Sequence, residues 1–158
     1  MPLRSLSVLA AFILAACSTG TPASAQAPAA PQAAAETTVQ QFLQAVADSN
    51  LVKMAELWGT SKGSAARTRS PENYEQRVLV MQAYLRSAQY RILSNEQDGP
   101  RAEQRILQVE FTRNGCENIV PVTVVRTEQG GWVIRSLDLA QLGSPARKCD
   151  GSAAPTPG

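Results

Sequence analysis

Histidine is absent from this sequence. That excludes imidazole metal ligands, Ser-His-Asp triads, Cys-His dyads and any imidazole acid–base step. A dominant charge is absent too. Lys and Arg total 15 against 13 Asp and Glu, a formal charge of +2. A nucleic-acid partner is not expected, because phosphate neutralisation usually leaves a strongly basic domain. Cysteine is scarce, at three, and aromatics do not alternate with basic residues as single-strand binders require. The 44% apolar share is inflated by alanine, with 12 of 24 alanines in the first 35 residues. The 158 residues allow one domain, or at most two small ones.

The N-terminus reads as an address. Arg4 supplies a short positive region, and Leu6 to Ala16 is an apolar run of 11 residues. That is too short for a bilayer, which needs about 20 helical residues. The run closes as Leu14-Ala15-Ala16-Cys17. This resembles the lipobox of bacterial lipoproteins. The resemblance implies a signal peptide over residues 1–16, a diacylglycerol thioether on Cys17, and acylation of its new amine with a palmitate-type chain. Two acyl chains already anchor a protein stably, so three are ample. In that family Ser18 accompanies export to the outer membrane. The expected location is therefore the bacterial cell envelope, at the outer membrane facing the periplasm. The other reading is an ordinary secretory signal cut after Ala23-Ser24-Ala25, which would discard Cys17 and leave a soluble protein.

With Cys17 assigned to lipid, Cys116 and Cys149 remain as a pair. An oxidising periplasm favours a disulfide between them. The loop of about 33 residues would contribute roughly 3–4 kcal/mol on the chain-entropy account. Two free thiols are the alternative. Two Cys without His cannot close a zinc site unaided by carboxylates, so neither metal nor cofactor is expected.

Residues 18–35 carry no charge, three Pro and eight Ala. Such a composition reads as a disordered spacer, and residues 17–35 form one segment of lipidated Cys plus spacer. Residues 150–158, DGSAAPTPG, read as a disordered tail. Between them, 36–149 is a single domain, helical first and strand-like second.

A helix is expected from Thr37–Thr38, where Thr38 and Gln41 make a capping-box pattern ahead of Val39, Phe42, Leu43 and Val46. Asp48-Ser49-Asn50 offers the cap of a second helix with Leu51, Met54, Leu57 and Trp58 on one stripe and Gly59 at its end. Residues 59–70 read as a polar, basic loop. Ser70-Pro71-Glu72 then gives an N-cap, a first-turn proline and a first-turn acid for a third helix with Tyr74, Val78, Met81 and Leu85 on one face. From Gln89 the period changes to two. Strands are expected over 89–95, 101–113, 119–127 and 132–139, with three consecutive strands in an antiparallel meander. Asn114-Gly115 and Gln129-Gly130-Gly131 are the later turns. Pro121 marks an edge or a bulge, and a bulge is expected.

Three amphipathic helices followed by a bent antiparallel sheet, with the hairpin EQGGWVIRSLDL, resemble the nuclear transport factor 2-like superfamily, the cystatin-like cone. The resemblance covers about residues 36–142. It implies an α+β fold, with helices packed on a curved antiparallel sheet around an apolar pocket. The superfamily includes ketosteroid isomerase-like enzymes, dehydratases and non-catalytic binding modules, so fold alone does not select a function. It also implies a homodimer through the open sheet face, or an envelope protein partner, as alternatives to a small apolar ligand.

Candidate pocket residues are Trp58, Tyr74, Tyr84, Trp132 and Asp138. Each has a plainer role: ring packing with a wetted hydroxyl for the tyrosines, core for the tryptophans, and a strand-end ion pair for Asp138. Glu110 lies between Val109 and Phe111 and should point away from their face. Residues 53–91 hold seven Lys or Arg and three Glu. That stretch could meet anionic head groups or an acidic partner, or be a solvated loop. No catalytic constellation stands out. The expected function is a lipid-anchored, non-enzymatic binding or assembly module. The alternative is an isomerase- or dehydratase-like enzyme working through a buried carboxylate such as Asp138.

Overall fold

A computed structural model describes residues 30–100 and 103–145. The signal segment, Cys17, Cys149 and the tail 150–158 lie outside the described residues. Cys116 is disulfide-bonded; its expected pairing with Cys149 falls outside them as well.

The first helix, α1, spans Pro31–Ala47, six residues ahead of its expected start. Proline presets the first-turn backbone and lacks a donor that would be orphaned there anyway. The following alanines are strong helix formers. Ala35 is fully buried, so part of the alanine run read as spacer belongs to the core. Thr38 is not a cap. Its Oγ1 donates back to the Ala34 carbonyl at 2.9 Å. The apolar face is as expected, with Val39, Phe42, Leu43 and Val46 buried.

Asn50 caps α2, Leu51–Leu57, its side chain accepting from the Lys53 N–H at 3.0 Å. Trp58 leaves the helix in an extended conformation. The expected loop at 59–70 is more structured. It forms a hairpin of β1 (Gly59–Thr60) and β2 (Gly63–Ser64), followed by α3, Ala65–Thr68. The proline at 71 does not open the next helix. The Ser70–Pro71 bond is cis, and α4 runs over Tyr74–Leu85.

Four strands follow: β3 (Gln89–Gln97), β4 (Gln104–Arg113), β5 (Cys116–Arg126) and β6 (Trp132–Leu137). They form an antiparallel meander in the order β3-β4-β5-β6. Asn114 and Gly115 both take positive φ, 52° and 82°, as the tight turn between twisted strands requires. Pro121 sits in regular register opposite Gln108. The bulge lies at Thr123/Val124 instead. The β6 pairing reaches back only to Val122, so the sixth strand does not reach Pro121 and its missing donor is not needed on that side.

Leu107, Val109 and Phe111 of β4 alternate inward and meet Val120, Val122 and Val124 of β5. α1, α2 and α4 cover this face through Phe42, Met54, Val78, Met81 and Leu85. Arg113 ties the end of β4 to the helices. Its guanidinium donates to the Tyr84 carbonyl at 2.6 Å and to the Leu142 carbonyl at 2.9 Å. Helix-terminal carbonyls lack intrahelical partners, and this clamp supplies one.

Candidate functional site

The concave sheet face is packed with side chains. Leu107, Val109, Val120, Val122 and Val124 are fully buried there, and Phe111 and Ile134 are 1% exposed. Among the described residues the buried polar side chains are Thr38, Arg105 and Thr127; none is a carboxylate. Arg105 is held by Asn95, with Nε donating to Oδ1 and Nη2 donating to the carbonyl at 2.9 Å. Asn95 in turn donates to the Gln32 carbonyl at 2.9 Å and to Glu36 Oε1 at 3.0 Å. The buried guanidinium therefore fastens the start of α1 to the sheet. Glu110 points outward as expected, where Arg91 Nη2 grips its carboxylate at 3.0 and 3.1 Å.

Asp138 is not a buried base. It is exposed and caps the 3-10 turn Leu139–Leu142, with Oδ1 accepting from the Ala140 N–H at 3.0 Å. Oδ2 accepts from Gln141 Nε2 at 3.0 Å. The bulge in the β5–β6 pairing shifts the alternation of β6, which ends at Leu137. Asp138 is thereby carried out of the strand and into a cap, a position that favours Asp strongly.

The other candidates do not converge on one cavity. Trp132 is half-buried against the core, opposite Arg126. Tyr84 is half-buried, and it is its carbonyl that Arg113 uses. Trp58 forms a parallel bridge to Ile134 and lines a groove of about 440 Å³ with Arg77, Val80, Met81 and Leu139. Tyr74 lines a second groove of about 300 Å³ with Leu51, Val52, Ala55, Val78 and Leu79. Its hydroxyl donates to Glu75 Oε1 at 3.1 Å, and that bond raises the phenol above its usual pKa. The two grooves flank α4. Between them stands an apolar crest of Leu79 and Val80, which are 50% and 48% exposed, and Val52 lies across the second groove at 70% exposed.

Sequence reading missed that crest. Its signal was there. Leu79 and Val80 are apolar but fall off the Val78, Met81 and Leu85 stripe, and Val52 falls off the Leu51, Met54 and Leu57 stripe. Apolar residues outside the core-facing stripe of an otherwise polar helix need another reason to be apolar.

No protein-family model matches the chain, and no curated protein matches it. Among solved structures, a protein from Shewanella frigidimarina named as a ketosteroid isomerase is similar over 68% of this chain and 94% of its own, at 14% identity and a TM-score of 0.44. That likeness is too loose to fix a family or transfer a site.

Proposed function

We propose that this is a lipid-anchored protein of the bacterial cell envelope, held at the outer membrane by Cys17. Its α+β domain, built on the cone-like nuclear transport factor 2-like plan, acts as a non-enzymatic binding or assembly module. The binding surface is the α2–α4 face, not the interior of the cone. The observation that carries this is the crest of Val52, Leu79 and Val80, held open beside an apolar groove of about 300 Å³. Large apolar side chains clustered beside a concavity mark interaction surfaces more often than isolated ones do. The groove takes a small apolar ligand or an apolar side chain of a partner protein.

Two expected results follow from the two halves of the reading. Expressed in a diderm bacterium with an alkyne analogue of palmitate, the full chain should take up label, and Cys17→Ser should abolish it. An unlabelled parent, or a labelled Cys17→Ser variant, would defeat the anchor. For the binding surface, native mass spectrometry of the chain from Ser18 onward, purified from a periplasm, should show a bound mass that disappears on denaturation. Leu79→Asp should lose that mass. A bound mass unchanged in Leu79→Asp would move the ligand elsewhere on the domain.

A further inference from the structure

Charge in the described residues is segregated. Residues 51–87 carry Lys53, Lys62, Arg67, Arg69, Arg77 and Arg86 against three Glu, a surplus of three cations. The remaining described residues carry five Arg against nine Asp or Glu, a surplus of four anions. The basic surplus thus coincides with the segment that holds the apolar crest.

These cations are also little neutralised by their neighbours. Of the six, Lys53 alone is in an ion pair among the described residues, with Glu56 at 3.2 Å. Arg77 Nε donates to the neutral Asn73 Oδ1 at 3.1 Å, and Arg67 donates to the neutral Gln129. The contrast is Arg91 on the sheet, which donates three bonds to the Glu110 carboxylate. Arg77 lines the groove beside Val80. Arg69 is exposed at the C-terminal end of α3, five residues before Tyr74.

We infer that the α2–α4 face is the membrane-facing side of the domain and lies on a bilayer surface carrying anionic lipid. This deepens the reading of that face as the binding surface and names its partner. Val52, Leu79 and Val80 would enter the boundary between head groups and acyl chains. Arg69 and Arg77 would reach lipid phosphates, to which a guanidinium can donate two bonds at once. Apolar insertion and attraction between basic side chains and an anionic leaflet act together in such contacts. Neither feature suffices alone. A basic loop without the crest is only solvated, and a crest without cations fits any apolar partner. The acidic remainder of the domain would be repelled by the same surface, which fixes the orientation.

The test is vesicle flotation of the chain from Ser18 onward, which keeps every described residue and the whole buried core. Lacking Cys17, this chain carries no lipid anchor, so the result is independent of the labelling experiment. About tenfold more protein should float with phosphatidylglycerol–phosphatidylcholine vesicles than with phosphatidylcholine alone, and added salt should reduce the difference. Leu79→Asp/Val80→Asp and Arg69→Gln/Arg77→Gln should each fall to the phosphatidylcholine level. The second variant changes exposed side chains only, so it answers the question even if the first fails to fold. Equal flotation on both vesicles would overturn the inference, as would full flotation of folded double variants. Capture on immobilised polyglutamate without flotation would also overturn it, and would give the face to an acidic protein. A bound apolar mass that survives alongside absent flotation would sink this inference and leave the groove reading standing.

Discussion

Phe111→Ala should cost about 3–5 kcal/mol, the range for deleting a fully buried aromatic ring. A domain of this kind has a total stability of only about 5–15 kcal/mol, so the variant should be largely unfolded in modest urea. Phe111 is 1% exposed and lies on β4 between Tyr90 of β3 and Asn118 of β5. It faces the layer that α1 and α4 close with Phe42, Met81 and Leu85. The removed ring leaves a cavity walled on one side by a three-strand pairing and on the other by helices, and neither wall can collapse far. Trp132→Ala should cost less, despite the larger ring, because Trp132 packs only partly against this layer. Phe111→Leu should cost less than Phe111→Ala, because it leaves a smaller cavity in the same wall. Urea melts followed by far-UV circular dichroism rank the three. A Phe111→Ala midpoint equal to that of Trp132→Ala would mean that the sheet face is not the centre of the core.

That ranking could not have been made from the sequence, though most of the architecture could. The strand alternation of Leu107, Val109 and Phe111 identified the inward face, because a period of two leaves little freedom once one face is apolar. The helical stripes of α1, α2 and α4 were legible for the same reason. Errors fell where two physical states share one composition. Uncharged alanines suit a spacer or the first turns of a helix, and here Ala35 finds the core. A Ser-Pro pair suits a helix start or a cis turn, and here it is cis. A strand over 132–139 would end beyond Asp138, yet β6 ends at Leu137. The bulge that shifts β6 is a property of pairing with β5, which no local pattern in β6 announces. The candidate surface was the least legible feature. Its apolar residues lie outside the core-facing stripes, where periodicity assigns them nothing, and its cations suit anionic head groups, an acidic partner or a solvated loop alike.

Gly59 shows the same ambiguity, and it carries the second large effect. As a glycine after an apolar helical stripe, it suggests a left-handed helix cap. Yet it is not among the residues of positive φ, and Trp58 already ends α2 in an extended conformation. Space is what requires glycine there. A Cβ on Gly59 would lie 2.2 Å from the Gly63 carbonyl oxygen, 2.8 Å from the Ser64 Cα and 3.0 Å from the Ala65 nitrogen. All three are backbone atoms, so no rotamer change relieves the overlap. Gly59→Ala must therefore open the β1–β2 hairpin, where Gly59 faces Ser64 and Thr60 faces Gly63. It should also break the 2.7 Å bond from the Ala65 N–H to the Trp58 carbonyl. The cost should reach the upper part of the roughly 1–3 kcal/mol seen for overpacked sites. The damage should spread in two directions. Ser61, at the hairpin tip, accepts from the Glu128 N–H at 2.8 Å, so the β5–β6 turn loses a support. Trp58 loses one of its backbone tethers, keeping the bridge to Ile134, and the wall it gives the groove beside α4 loosens. Gly131→Ala is the matched control, since its Cβ would meet only Thr127 Oγ1 at 3.7 Å, an ordinary contact. Hydrogen exchange should show the Ala65 and Glu128 amides deprotected in Gly59→Ala and protected in Gly131→Ala. Equal protection in both would mean that the hairpin tolerates the extra carbon and that the close approach is not what selects glycine at this position.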